Sequence, residues 1–164
     1  MRKEFLVMLA LAVLAFGALP ANAQLSSIKL TVKVESKVER DGDNQKRETK
    51  LKINLVNLTQ QEYGYVTIKY NIVGRDKKAS KYVILGSGAK DVALGAGGKA
   101  DVETEDAKYK YNPGKAKDEY PTGSMYFGYG VQVIQDTKVL AESYNPAAVK
   151  AELNKPATAA PPKK

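Results

Sequence analysis

Few side chains in this sequence can do chemistry, and their spacing limits what they can do. Histidine and cysteine are both absent. That removes triads with an imidazole base, Cys/His nucleophilic pairs, and zinc sites built on either residue. It also removes disulfides and a lipid anchor on cysteine. Ser26-x-x-Lys29 and Ser87-x-x-Lys90 have the spacing of a serine–lysine nucleophile pair. That spacing works when a helix puts both side chains on one face, and neither segment reads as helix.

The glycine-rich pieces GSGAK (86 to 90) and GAGGK (95 to 99) fail as phosphate loops. Ala93 stands where the first glycine of such a loop is needed, and Ala100 stands where a magnesium-binding hydroxyl is needed. Both pieces read as turns. Asp41, Asp43 and Glu48 in DGDNQKRE lack the full oxygen set and the sixth-position glycine of a calcium loop, and Lys46 and Arg47 intrude. Asp101, Glu103, Glu105 and Asp106 are close enough in sequence for carboxylate-only glycoside hydrolysis, but a strand and its exit more commonly make an exposed acidic patch. The expectation is a chain with no catalytic residue, no metal and no cofactor: a binding protein rather than an enzyme.

Tyrosine is the residue type in excess, with ten against three phenylalanines and no tryptophan. A tyrosine ring combines apolar area with a polar tip, which suits protein interfaces and sugar stacking. Tyr109, Tyr111, Tyr126 and Tyr129 are the candidate partner-binding residues. Tyr109 and Tyr111 alternate with Lys108 and Lys110 in a stretch, 107 to 123, that reads as a long loop. Tyr126 and Tyr129 belong to MYFGYGVQV (125 to 133), a strand in which the odd positions 125, 127, 129, 131 and 133 form the core face. Tyr126 then shares the other face with Gly128 and Gly130, whose bare backbone invites close approach by another segment or ligand. The absence of tryptophan platforms makes a glycan the second choice of partner, behind protein.

The elements that must position these residues are strands. Ile28, Leu30, Val32 and Val34 alternate with Lys29, Thr31, Lys33 and Glu35, a period of two that a helix would scatter over opposing faces. DGDNQKRE reads as the turn or loop that follows. Leu51, Ile53 and Leu55 resume the alternation, and Val66, Ile68, Tyr70 and Ile72 form a third strand ending in a turn over Gly74 to Lys78. Short strands follow at 81–85, 91–94, 99–104, 126–135 and 138–143. About seven to eight strands with turn signals between them predict an all-β antiparallel sandwich of immunoglobulin- or fibronectin-like type, with a small barrel as the alternative.

Residues 1–23 read as a secretory signal: basic Arg2 and Lys3, an apolar run from Phe5 to Leu19, and Ala21-Asn22-Ala23 as the cleavage motif. The apolar run is shorter than the ~20 residues needed to span a hydrocarbon core. The sandwich then occupies 24–149, and 150–164 reads as a disordered Ala/Pro/Lys-rich tail. The expected location is the periplasm, the outer-membrane surface or the medium, with no transmembrane segment in the processed chain. The net charge of +8 favours acidic surfaces in general. Export and the concentration of lysines in the tail argue against nucleic acid.

The strands YGYVTIKYNIVGRD (63 to 76) and GYGVQVIQDTKVLAES (128 to 143) resemble a group of small exported immunoglobulin-like proteins of verrucomicrobial bacteria. That group is associated in part with type IV pilus-like envelope systems, and the likeness runs from about Ile28 to Lys150. In fold the group resembles the immunoglobulin-like heads of archaeal type IV pilus subunits. Pilins keep their apolar N-terminal helix, whereas the Ala21–Ala23 motif predicts its removal here. The resemblance implies an exported, non-catalytic accessory or adhesin-type module whose partners are envelope proteins or copies of itself, and it supplies no catalytic residue.

Overall fold

A computed structural model describes residues 27–114 and 120–155. The expected signal, the middle of the 107 to 123 stretch and the end of the tail lie outside the described residues. Among the described residues are eight strands and one short helix. The strands are β1 (Ile28–Asp41), β2 (Asn44–Asn57), β3 (Gly64–Asp76), β4 (Tyr82–Leu94), β5 (Lys99–Glu103), β6 (Ala107–Asn112), β7 (Thr122–Gln135) and β8 (Lys138–Asn145), followed by α1 (Ala148–Leu153).

Every strand pairing is antiparallel. One layer runs β1-β2 with β5 and β6 end to end along the far side of β2; the other runs β4-β3-β7-β8. A short bridge, Tyr111–Asn112 against Thr122–Gly123, joins the layers. This is the immunoglobulin-like strand order, with β1, β2 and the split β5/β6 opposite β4, β3, β7 and β8. Alternation explains the core between them. Leu51, Ile53 and Leu55 of β2 meet Val66, Ile68, Tyr70 and Ile72 of β3 and Tyr129, Val131 and Val133 of β7, all buried.

Several stretches differ from the sequence expectation. DGDNQKRE holds the expected hairpin turn, but a narrower one: β1 and β2 pair without a break from Ile28↔Asn57 to Asp41↔Asn44, so Asn44 to Glu48 belong to β2. The turn needs only Gly42 and Asp43, because Gly42 takes φ +60° at the first turn position. GSGAK is not a turn; β4 runs straight through it. Gly88 sits opposite Tyr70, and a Cβ there would lie 2.5 Å from the Tyr70 hydroxyl, so the glycine makes room for the buried ring. Gly74, expected to start a turn, is buried inside β3.

A further difference lies at the start of the expected tail, where residues 150–153 complete α1 instead of remaining unstructured. Val149 is fully buried, and Lys150 pairs with Glu142 of β8, which holds the Glu142 carboxyl below the usual carboxylate range. No helix among the described residues is long and apolar enough to cross a membrane.

Candidate partner-binding surface

The stretch expected to be a loop contains β6, and this strand fixes the first two candidate tyrosines. Ala107, Tyr109 and Tyr111 pair with Thr49, Arg47 and Gln45 of β2 and take the core-side face, while Lys108 and Lys110 point outward. The Tyr109 hydroxyl lies 2.9 Å from Thr49 Oγ1, which is itself 3.0 Å from Ser36 Oγ of β1. Three strands are thus tied by one part-buried hydroxyl chain. Tyr111 lies nearer the rim, under the Arg47 guanidinium at 5.1 Å, a cation–π contact. Gln45 Oε1 accepts from Arg47 Nε at 3.1 Å and from Nη2 at 2.6 Å, which fixes the guanidinium plane.

Tyr126 does not share a face with Gly128 and Gly130 as simple alternation predicts. Val73 pairs with Gly128 but Gly74 pairs with Tyr126, so Phe127 is an extra residue in a β-bulge. The bulge resets the period and brings Tyr126 to the core side with Tyr129, while Phe127 packs against Tyr82 with ring centroids 4.7 Å apart. Tyr129 is buried, its hydroxyl 3.4 Å from Ser143 Oγ. The bare backbone at Gly128 and Gly130 is indeed approached closely, but by this chain itself. Asn145–Pro146 covers Gly128, and Leu153 of α1 with Tyr144 covers Gly130.

Tyr109, Tyr126 and Tyr129 therefore meet at the end of the core. Burial first, then the neighbouring Tyr129 and Tyr109 phenols, push the Tyr126 hydroxyl up to about 12. The fold favours its neutral form, so this contribution to stability is complete below pH 10 and is lost as the pH rises from 10 towards 12. Absorbance titration at the phenolate band should show one phenol ionising near 12, absent in Tyr126→Phe. A Tyr126→Phe trace identical to the parent would place the slow phenol elsewhere.

The exposed apolar surface was missed by sequence reading. Val34 and Val38 stand on the core-side face of β1, yet they are 37% and 51% exposed, whereas Leu51 beside Val34 is 0% exposed. Their alternation with charges marks the correct face but cannot tell where the opposing layer stops. On the outward face of the layer, Lys37, Glu39, Lys46, Glu48, Lys108 and Lys110 surround a groove of about 450 Å³ whose floor is the strands at Val38, Arg47 and Tyr109. Glu48 answers Lys108 there at 3.3 Å.

Further along this outward face, Glu35 and Glu103 interleave with Lys50 and Lys52 at 2.8 to 3.6 Å. The Lys52 ammonium bonded to Glu35, and the Lys50 ammonium bonded to Glu103, hold both carboxyls below the ordinary value. Asp101 accepts from Asn54 Nδ2 at 2.8 Å, and Glu105 and Asp106 are exposed. Glu35 and Glu103 form a solvated ion-pair network with the two lysines. A general acid needs a raised pKa, the reverse of what the lysines do to Glu103. Among the described residues, no group of three or more His, Cys, Asp or Glu is placed to hold a metal.

No family model matches the chain, and no curated protein matches it. Solved structures similar to it include a crystal structure from Akkermansia muciniphila. That match has 11% identity and a TM-score of 0.39, and covers 80% of this chain and 78% of the other. Another is the X-ray structure of a Northeast Structural Genomics Consortium target, at 14% identity and a TM-score of 0.34, covering 72% of this chain and 81% of the other. The chain's own strand order and pairing make it an all-β antiparallel sandwich of the immunoglobulin-like class.

Proposed function

We propose that this chain is an exported, non-catalytic binding or assembly module of a cell envelope, located in the periplasm, on the outer-membrane surface or outside the cell. The observation that carries the reading is the exposure of Val34 and Val38 on the side of β1 that is core elsewhere in the layer. Apolar surface of this kind, on a strand whose outward face is charged, suits a protein interface. The family resemblance in β3, β7 and β8 makes components of a type IV pilus-like envelope system the partner class to test first.

The four tyrosines do not form a flat exposed platform. Tyr129 is buried, and Tyr109 is tied to Thr49. A glycan would therefore find no stacking surface among them, and the protein reading is the stronger one.

The test is in-cell photo-cross-linking from position 38, with position 65 as comparison because Tyr65 is 77% exposed and lies on another strand. Mass spectrometry of the adducts should recover envelope proteins or further copies of the chain from position 38 and not from 65. A folded, abundant chain that yields no specific adduct from position 38 overturns the reading.

A further inference from the structure

We propose that the partner at the β1 edge is a second copy of this chain, paired antiparallel through residues 33–39 in one defined register. This deepens the assembly reading and rests on it. Among the described residues β1 hydrogen-bonds as a strand to β2 alone, so its other side is a sheet edge. Residues 33–40 are all exposed. An edge of this length with regular pairing and no bulge is a template for strand addition.

The sequence of the edge is complementary to itself. Lys33, Glu35, Lys37 and Glu39 alternate in sign on the outer face, with Val34, Ser36 and Val38 on the core-side face. A two-fold axis perpendicular to the layer and midway between the two copies' Ser36 residues places Lys33 opposite Glu39 of the other copy and Glu35 opposite Lys37. The same operation places Val34 opposite Val38 and Ser36 opposite Ser36. Every charge meets its opposite, and both exposed valines gain an apolar neighbour.

Sliding the register by two residues destroys this match. One direction sets Glu35 against Glu35, and the other sets Lys37 against Lys37; like charges directly opposite are unfavourable. An odd shift is excluded because it would pair core-side with outer-face positions, which a two-fold axis perpendicular to the layer does not allow. The charges that would guard an edge against arbitrary partners thus select one. The ladder is short, so the dimer depends on concentration.

The absence of cysteine allows a direct register test. In the chain purified as its host processes it, Ser36→Cys should form an interchain disulfide readily, since directly opposed residues lie ~4.5–5.5 Å apart, within disulfide reach. Lys29→Cys, on the same strand but outside the proposed ladder, should not. Sedimentation should show a monomer–dimer equilibrium that Lys33→Glu weakens about tenfold, as does Glu39→Lys, while the double exchange restores it, because each single change sets like charges opposite at two symmetric places.

A chain that stays monomeric across the concentration series, or Ser36→Cys cross-linking no faster than Lys29→Cys, overturns the dimer. So does a double exchange as weak as the single variants, with all variants keeping the parental far-ultraviolet spectrum. If the dimer fails while position 38 still captures envelope proteins, the assembly reading stands alone. If position 38 captures nothing either, both fall.

Discussion

Leu51→Ala lowers the unfolding free energy by about 3 kcal/mol, the middle of the range for a leucine truncated in a close-packed interior. Leu51 is 0% exposed in the core between the layers. Its backbone is unusually well held. The Leu51 N–H donates to Thr104 Oγ1 at 2.9 Å and its carbonyl accepts from Thr104 N–H at 3.0 Å. Thr104 thus serves as the sheet partner in the gap where β5 ends and β6 has yet to begin. Alanine keeps both bonds, so the loss comes from packing and from the cavity left behind. Urea unfolding followed by tyrosine fluorescence measures it. A loss below about 1 kcal/mol would mean that the layers do not close on each other there.

Gly128→Ala destabilises by about 2–3 kcal/mol, at the upper end of overpacking costs. The added Cβ would lie 2.1 Å from the Asn145 carbonyl oxygen and 2.7 Å from Pro146 Cδ. The first of these is backbone, so no rotamer change relieves it. The segment leading into α1 must lift from β7, which exposes Val149 and loosens the Lys150–Glu142 pair. Faster tryptic cleavage at Lys150 is the signature, read against Gly95→Ala. At Gly95 an added Cβ meets nothing within 4 Å and the stability should be unchanged. Equal cleavage rates in the two variants would show that α1 is not seated on Gly128.

Residue types alone excluded most chemistry, since a chain without histidine or cysteine lacks the commonest bases, thiolates and zinc ligands whatever its fold. The strands were legible for an equally local reason. A half-buried strand exposes alternate residues, and Ile28 to Val34, Leu51 to Leu55 and Val66 to Ile72 record that exposure in the sequence. The errors arose where the deciding contact is distant in sequence. Gly86 and Gly88 resemble a turn until Tyr70 is set beside Gly88. The stretch from Ala107 resembles a loop until β2 supplies Thr49, Arg47 and Gln45 as its ladder.

The candidate tyrosines follow the same division. Composition singled them out, but one bulged residue, Phe127, decided that Tyr126 faces inward with Tyr129, and periodicity assumes that no residue is inserted. The signs along Lys33 to Glu39 were also readable, whereas their meaning was not. Whether β1 is an edge, and whether Val34 and Val38 are covered, depends on which strand lies beside it and where the opposite layer ends. The sequence by itself determined the class of fold, the faces of the strands and the chemistry that is impossible. Only the tertiary structure decided which faces remain uncovered, because exposure depends on long-range packing between strands that no local pattern encodes.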